Sequence, residues 1–376
     1  MAAKKNPLFK IIRFSILGLM LIGSMVIHYL HIYGGAIYPS VHSICPFGGL
    51  ENLWSFVAGH SNISKIFSGT MVLFFLTALI AVFFRRSFCG NICPFGAIQE
   101  FLGKIFPKKI KVPPAIDKVL KYLKYVLLLL SIIMAWATMS LWISPYDPWA
   151  AFGHLFTGSE VFTEFLIGTI ILIVITLASF VINRPFCRYL CPAGAFYALV
   201  GKISPSYVER NPQTCINCKL CTKNCPVDLE VHKMEKVKSG ECISCGICVD
   251  VCPQPEPGTM IASKFGSKKI KPLVFLLVSV GIFFGALFIL DAAGLYKVSI
   301  PPVEEILEKQ DFISVGDLRG SMTIEQGAFY SGKSLDQFYE IMEIPKEVPK
   351  DTLMKYLSSY IKGYDFHVMK AKKALE

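Results

Sequence analysis

The chain has 376 residues, of which 53% are hydrophobic and only 17% are charged, and its formal net charge is +11. A soluble domain averages about 25% charged residues, so this composition argues against a wholly soluble protein. The basic residues flank apolar runs, which favours the anionic inner face of a membrane over nucleic acid as their partner.

Five apolar segments are long enough to predict membrane-spanning helices, each of which needs roughly 20 apolar residues. They cover residues 14–33, 66–84, 126–143, 165–182 and 273–290. Basic residues precede the first segment, as they do in a signal peptide. Its apolar run is too long for one, however, and no small-residue cleavage site follows. We therefore expect the first segment to be retained as a helix.

Lysine and arginine are dense in some loops and sparse in others, which predicts the orientation of the chain. Loop 31–65 contains only Lys65 and loop 144–164 contains none, whereas residues 85–118 and 183–271 are rich in basic residues. We therefore expect a multi-pass protein of a bacterial-type cytoplasmic membrane. Its N-terminus and residues 183–271 would be cytoplasmic, and its C-terminus extracytoplasmic.

An internal repeat links the second and fourth apolar segments. The run FCGNICPFGA at residues 88–97 aligns with FCRYLCPAGA at residues 186–195. Farther upstream, Cys45-Pro-Phe loosely matches Ser144-Pro-Tyr. Two parallel copies, each with an outer loop, an inward helix and a C-x3-C-P turn, predict a pseudo-twofold axis along the membrane normal.

Two runs with the spacing C-x2-C-x2-C-x3-C-P follow the second repeat and are typical of iron–sulfur proteins. In two-cluster ferredoxins the last cysteine of each run binds the other [4Fe–4S] cluster. A pair of zinc sites is the alternative, but zinc usually takes C-x2-C pairs that are set farther apart. The spacing therefore predicts two clusters, the first held by Cys215, Cys218, Cys221 and Cys252 and the second by Cys242, Cys245, Cys248 and Cys225.

The two C-x3-C-P turns supply four more cysteines, namely Cys89, Cys93, Cys187 and Cys191. If the turns are helical, the i,i+4 spacing places both thiols of a turn on one face. The repeat axis would then bring the two pairs together, which predicts a third iron–sulfur centre. The alternative is that these thiols pack as small buried hydrophobes.

Four arginines lie near these turns and would offset the negative charge of such a centre, although the positive-inside rule also accounts for them. They are Arg85, Arg86, Arg184 and Arg188. The thirteenth cysteine, Cys45, falls on the outer side. It is a candidate metal ligand, a candidate for pairing with a partner protein, or a residue with no role.

Most histidines map to the outer half of the membrane in the predicted topology, at His28, His31, His42, His60 and His154. Ionisable groups at a membrane boundary are costly unless they are used, and histidine accepts a proton near neutral pH. We therefore predict a quinol-oxidising site near the outer face, with His28 and His31 as candidate quinone-binding residues. Haem ligation by these residues and simple interfacial placement are the alternatives.

The last segment, residues 297–376, is polar and contains two capping-box signals, Thr323 with Gln326 and Ser334 with Gln337. The predicted fold is mainly α, a bundle of about five membrane helices built from two tandem helix-pair repeats. We divide the chain into a membrane domain (1–205), a two-cluster ferredoxin domain (206–265), a fifth membrane helix (266–296) and an extracytoplasmic helical module (297–376).

Paired Phe-Cys-x3-Cys-Pro turns beside membrane helices, followed by a two-cluster run, resemble the membrane polyferredoxins of the NapH, NosR and CcoG type. The runs ICPFGGLE at residues 44–51 and DLRGSMT at 317–323 are similar to a NapH-like branch of 4Fe–4S binding proteins. The resemblance covers residues 10–290 well and the tail more loosely. The chain differs from NapH in its fifth helix and outer tail, and it lacks the flavin-binding domain of NosR.

The resemblance implies electron flow between the quinone pool, cytoplasmic carriers and an extracytoplasmic reductase or flavin protein. The chain would then be a subunit of a hetero-oligomeric redox complex in the lipid bilayer rather than a stand-alone catalyst. Two other functions stay open. One is a metal-reducing or maturation factor of the CcoG type, and the other is a structural anchor for a soluble redox partner.

Overall fold

The computed structural model describes residues 7–34, 38–57, 66–106, 109–138, 140–157, 161–162, 165–253, 261–299, 311–312, 318, 320 and 322–366. The chain forms two compact units. The first comprises Met1–Tyr29 with Ser40–Val298, and the second comprises Leu30–Pro39 with Ser299–Glu376.

Three helices in the described part of the chain are long and apolar enough to cross a membrane: α1 (Pro7–Gly34), α7 (Pro114–Thr138) and α14 (Pro272–Ala292). Two shorter apolar helices are α4 (Ser68–Phe84) and α9 (Leu166–Val181). These two helices have 17 and 16 residues. At 1.5 Å per residue, each covers roughly 25 Å, whereas the hydrocarbon core of a bilayer is about 30 Å thick. Each predicted segment therefore coincides with an apolar helix, but within the described part of the chain only three helices have the full spanning length.

Two of the long helices differ from their predicted bounds. Helix α7 begins at Pro114, twelve residues before the predicted start, and ends before the turn that leads to Pro145. Helix α1 begins at Pro7 and includes the charged Arg13, whose guanidinium is buried against the Glu100 carboxylate.

Among the described residues of the first unit, a similar order of helices occurs twice, with one additional short helix in the first series. Helix α1 is followed by α2 (Pro46–Glu51), α3 (Leu53–Val57), α4, α5 (Ser87–Asn91) and α6 (Pro94–Ile105). Helix α7 is followed by α8 (Pro148–Gly153), α9, α10 (Pro185–Tyr189) and α11 (Pro192–Val200). In each series a short helix packs on the apolar helix that follows it, α2 on α4 and α8 on α9.

This order of helices changes the predicted alignment of the outer loops. Cys45 is the N-cap of α2 and Asp147 is the N-cap of α8, and each precedes a proline at the first helical position. Ser144 instead begins a 3-10 turn. The structural counterpart of Cys45 is therefore Asp147, three residues beyond the serine that the sequence alignment selected.

The segment after the second repeat forms a four-stranded antiparallel sheet with the order β2-β1-β3-β4. The strands are β1 (Ser206–Arg210), β2 (Lys236–Val237), β3 (Ile261–Phe265) and β4 (Lys268–Ile270). Two short helices, α12 (Leu220–Lys223) and α13 (Ile247–Asp250), carry cysteines beside it. Val208, Val237, Ile243 and Ile261 form part of one core with the cysteines of this segment.

The second unit has its own apolar core, which includes Leu318, Ile324, Phe338, Met342 and Leu357. Its main helices are α15 (Ile324–Tyr330) and α16 (Leu335–Ile341), followed by the short α17 (Leu357–Tyr360). Both capping boxes are formed as predicted, by Thr323 with Gln326 and by Ser334 with Gln337. Asp317, Arg319 and Ser321 of the DLRGSMT run lie outside the described residues.

Candidate iron–sulfur sites

The thiols of the second predicted cluster lie close to one another. Cys248 interacts electrostatically with Cys245, Cys242 and Cys225, which are the three other members of the predicted set. Burial and the neighbouring Cys245 raise the pKa of the Cys225 thiol to about 12. The proximity of these thiols fits a bound metal cluster, which would deprotonate them.

The first predicted set lies nearer the surface. Cys215, Cys218, Cys221 and Cys252 line a small cavity of about 20 Å³. Cys221 also belongs to the neighbourhood of Cys248, so the two sets adjoin. Within the described residues, no three His, Cys, Asp or Glu side chains are placed to hold one metal ion. A cubane cluster does not require that, because each of its irons takes one protein thiolate.

Both runs use the same unusual backbone around their second cysteine. Asn217 and Lys219 flank Cys218 with φ of 55° and 59°, and Ser244 and Gly246 flank Cys245 with φ of 48° and 72°. Left-handed conformations cost a non-glycine residue roughly 1–2 kcal/mol, so they indicate a local requirement. Here they turn the chain around the place where the thiols converge, which fits a cluster held by each run.

The four cysteines of the C-x3-C-P turns are brought together by the fold. Cys89 interacts with Cys187, and Cys191 interacts with both of these and with Cys93. Cys89 lies within α5 and Cys187 lies within α10. Cys93 and Cys191 are the N-caps of α6 and α11. The structure therefore places thiols from both copies of the repeat in one group.

Two arginines cross between the copies beside these thiols. Arg86 Nη2 donates to the carbonyl oxygen of Cys187 at 3.2 Å, and Arg184 Nη1 donates to the carbonyl oxygen of Cys89 at 2.7 Å. Both side chains are buried. Each guanidinium lies against a glycine of the other copy, Arg86 against Gly194 and Arg184 against Gly96. Only a residue without a Cβ leaves room for this close approach.

The other two predicted arginines have a different role. Arg85 donates to the carbonyl oxygens of Gly201 and Val237, at 3.2 Å and 2.7 Å. Arg188 forms ion pairs with Asp117 and Asp228, both at 2.5 Å. These contacts join the membrane repeat to the cysteine-rich segment. Of the four arginines, Arg86 and Arg184 therefore contact the turn cysteines of the other copy, and the offset of cluster charge by all four stays a prediction.

Beside the paired turns, the buried cations outnumber the carboxylates that pair with them. The cations Arg13 and Arg184 pair with Glu100, while Arg86 and Lys124 pair with Glu241. Burial alone would raise the pKa of Glu100, but Arg184 and Arg13 lower it to about 2. Four cations and two carboxylates leave an excess of about two positive charges. An oxidised [4Fe–4S] cube with four thiolates carries a formal charge of about −2, so the residues present fit such a group.

The paired turns also contact the cysteine-rich segment directly. A Cβ added to Gly90 would collide with the carbonyl oxygen of Ile243 and would lie 3.4 Å from the Cβ of Cys245. Asn91 Nδ2 donates to the carbonyl oxygen of Ser244 at 3.5 Å. The backbone beside Cys89 thus packs against the loop that carries Cys245, and one core contains both thiols.

A cavity of about 670 Å³ lies on the other side of the paired turns. All four turn cysteines line it, and so do Cys45 and Asp147. Tyr197 also lines it and interacts electrostatically with Cys45, Cys89 and Cys191. Cys45 and the four-thiol group therefore line one shared cavity.

The predicted quinone-binding histidines lie elsewhere. His28 is buried, with its ring 5.3 Å from that of Trp149, and His31 Nδ1 lies 2.7 Å from the carbonyl oxygen of Tyr38. Neither is found in the described lining of the large cavity. The ring of His42 lies 6.4 Å from that of His154, and His60 falls outside the described residues. A quinone site at His28 and His31 stays a prediction.

Sequence reasoning missed three acidic residues that complete these sites. Glu100 and Glu241 pair with the buried cations, and Asp147 lines the cavity. Glu241 directly precedes Cys242, but nothing local distinguishes it or Glu100 from a surface carboxylate. For Asp147 the sequence signal was ambiguous. Both Asp-Pro-Trp and Ser-Pro-Tyr fit the Cys-Pro-Phe pattern of residues 45–47, and only the observed helix α8 selects Asp147.

Family models match three parts of the chain. A model described as a 4Fe-4S binding domain matches residues 69–113 and 165–207, and one described as a 4Fe-4S dicluster domain matches residues 207–253. The first match contains both C-x3-C-P turns, and the second contains both four-cysteine runs. No solved structure matches the chain.

Three proteins illustrate the similarity. The chain is 30% identical to the putative electron transport protein YccM of Escherichia coli over 68% of its own length and 74% of that protein. It is 25% identical to the ferredoxin-type protein NapH of Escherichia coli, over 54% of the chain and 70% of NapH. It is 28% identical to the regulatory protein NosR of Pseudomonas aeruginosa, over 45% of the chain and 24% of NosR.

Proposed function

Since this chain belongs to the NapH/NosR-type family of 4Fe–4S membrane proteins, whose iron–sulfur centres transfer electrons, we propose that it relays electrons between the quinone pool or cytoplasmic carriers and a partner oxidoreductase. The partner would be an extracytoplasmic reductase or flavin protein in a hetero-oligomeric complex.

Three centres form the proposed relay. Cys215, Cys218, Cys221 and Cys252 hold one [4Fe–4S] cluster, and Cys242, Cys245, Cys248 and Cys225 hold the second. The paired turns hold a third centre through Cys89, Cys93, Cys187 and Cys191. When bound, the centres accept and release single electrons at potentials that hydrogen bonds and exposure adjust. Gln99 Nε2, 3.4 Å from Cys187 Sγ, and Gly194 N, 3.2 Å from Cys191 Sγ, are donors suited to that adjustment.

The main support for this proposal is that Arg86 and Arg184 each reach from one copy of the repeat to the turn of the other copy. Burying a guanidinium is costly unless an anion compensates it, and the two carboxylates nearby compensate only part of the buried charge. The four turn cysteines, as thiolates of a cluster, supply the missing negative charge. Metal-free, protonated thiols at the turns would supply none of this negative charge.

The proposed arrangement in the membrane follows the distribution of basic residues. All five apolar helices, α1, α4, α7, α9 and α14, cross the bilayer, with the cysteine-rich segment on the cytoplasmic side and residues 297–376 outside. The proposed segments are the membrane domain up to residue 205, the ferredoxin domain up to residue 265, the fifth membrane helix up to residue 296, and then the tail. The packing of α14 on α4 supports including the shorter helices in the same bundle.

Iron and sulfide quantification on anaerobically purified protein tests the third centre. We expect about twelve irons per chain in the wild type and about eight in the double variant Cys89→Ser with Cys187→Ser. The EPR signals of the ferredoxin clusters should persist in that variant, while electron transfer through the protein is lost. Cys45→Ser is the control and should keep its iron. A wild-type content near eight irons would contradict the third centre.

A further inference from the structure

The large cavity has the size and composition of a binding site for an organic molecule. Its volume of about 670 Å³ falls within the range of roughly 300–1,000 Å³ that is usual for small-molecule sites. Its lining is almost wholly apolar. Among the described residues that form it, the charged side chains are Arg86, beside the paired turns, and Asp147, beside Cys45.

The cavity is reached from the apolar surface of the helix bundle. Leu19, Leu130 and Phe284 line it and are also 70%, 41% and 40% exposed. They belong to α1, α7 and α14, the three helices of full spanning length. A molecule that enters between these helices comes from the lipid, so the occupant is lipid-soluble. Because four thiols of a proposed redox centre form another part of the wall, the occupant is also redox-active.

Asp147 is the acidic group of this cavity. Its Oδ1 accepts a hydrogen bond of 3.0 Å from the backbone N–H of Trp149, which holds the carboxyl group at the start of α8. Burial raises the pKa of Asp147 to about 6, while the N–H groups of Trp149 and Ala150 oppose this increase. The titratable groups that interact with it from the α2 side are Cys45 and Glu51. A carboxylate with a near-neutral pKa is suited to accept a proton at physiological pH.

On the basis of the proposed electron relay, we propose that this cavity binds a quinol and that Asp147 accepts the protons of its hydroxyl groups. Oxidation of one quinol to a quinone breaks two O–H bonds and releases two electrons and two protons. The electrons pass to the iron–sulfur centres of the chain. Each proton passes to the Asp147 carboxylate, which releases the first to solvent at the loop between α7 and α9 before it accepts the second.

Two glycines of α1 provide a matched test of the cavity. A Cβ at Gly23 or at Gly18 meets no atom within 4 Å, but only Gly23 lines the cavity. Gly23→Phe should weaken binding of the fluorescent quinol analogue 2-heptyl-4-hydroxyquinoline N-oxide at least tenfold. Gly18→Phe should bind it as the wild type does. Fluorescence quenching measures this binding without any electron transfer, and equal affinity in both variants would overturn the proposed location.

Asp147→Asn tests the proton acceptor, because asparagine is as good an N-cap as aspartate but accepts no proton at neutral pH. We expect the analogue to bind within threefold of its wild-type affinity. Reduction of the bound clusters by menadiol, followed by absorbance, should slow about 100-fold or more. The wild-type rate should rise with pH through about 6, as Asp147 ionises, and the variant should lose this dependence.

Asp147→Glu restores a carboxylate, so menadiol should reduce its clusters at least tenfold faster than those of Asp147→Asn. Equal iron content in all variants shows that each is folded and loaded. If menadiol reduces the wild type and Asp147→Asn at the same rate, the role of Asp147 is overturned while the electron relay stands. If menadiol fails to reduce an iron-loaded wild type, the quinol relay and this inference are both overturned.

Discussion

Arg184 reaches across the repeat to donate a 2.7 Å hydrogen bond to the carbonyl oxygen of Cys89, ninety-five residues earlier in the chain. Arg86 makes the corresponding bond to Cys187 in the opposite direction. Each copy of the repeat therefore completes the surroundings of the other copy's first cysteine. The buried positive charge beside each turn therefore comes partly from the other copy, as the proposed shared centre requires.

Gly96→Ala should disrupt the contact of Arg184 with the carbonyl oxygen of Cys89. A Cβ at this position would lie 2.9 Å from Arg184 Nη1 and 3.1 Å from the carbonyl oxygen of Cys89. Overpacking of this kind typically costs about 1–3 kcal/mol, and displacement of Arg184 should also lower the iron content of the paired turns. Thermal unfolding in detergent and iron analysis measure both effects.

Gly103→Ala is the control on the same helix, because its nearest neighbour would be the flexible end of Lys109 at 3.4 Å. It should be neutral or slightly stabilising, since alanine favours a helix over glycine. Equal iron loss in both variants would show that the crowding at Gly96 is not the cause.

Glu100→Gln should be strongly destabilising. The Glu100 carboxylate is buried and is bound by both Arg13 and Arg184. Its loss leaves two buried guanidinium groups without their counter-charge, which costs about 3–5 kcal/mol for a broken buried pair. The measurement is the thermal unfolding midpoint. Glu230→Gln, which breaks an exposed pair with Lys233, should change stability by no more than about 0.5 kcal/mol.

Glu51→Gln should change how stability depends on pH. Burial and the neighbouring Asp147 raise the pKa of Glu51 to about 8, above its ordinary value near 4.5. Between these values the folded chain holds a proton that the unfolded chain has released, so this group lowers stability as pH rises. Relative to the wild type, the variant should therefore gain about 2 kcal/mol between pH 6 and pH 8. Parallel pH profiles of unfolding would contradict the raised pKa.

Lys219→Gly should stabilise the protein. Lys219 is exposed and has φ of 59°, where a side chain costs roughly 1–2 kcal/mol and glycine costs little. The equivalent position of the other run is already a glycine, Gly246, with φ of 72°. Gly246→Ala should be destabilising, because it introduces the same strain and brings a Cβ to 3.1 Å from Phe9. Denaturation of the loaded protein compares the two, and a stabilising Gly246→Ala would contradict the explanation.

Local sequence patterns predicted those structural features whose physical cause lies within a few residues. A capping box involves side chains and N–H groups three residues apart, so Thr323 with Gln326 was readable before any fold was known. Hydrophobicity over a window likewise located every apolar helix. The extent of α1 was less predictable, because this helix contains the charged Arg13, which the distant Glu100 compensates.

By itself, the sequence determined that this is an apolar, membrane-type chain with cysteine runs suited to iron–sulfur clusters, because spacing along the chain controls which thiols can reach one cube. Only the tertiary structure decided that Asp147 is the counterpart of Cys45, that Arg86 and Arg184 exchange between copies, and that one cavity joins these features. Those relationships bring together residues about one hundred positions apart, and they depend on how helices pack, which no local pattern records.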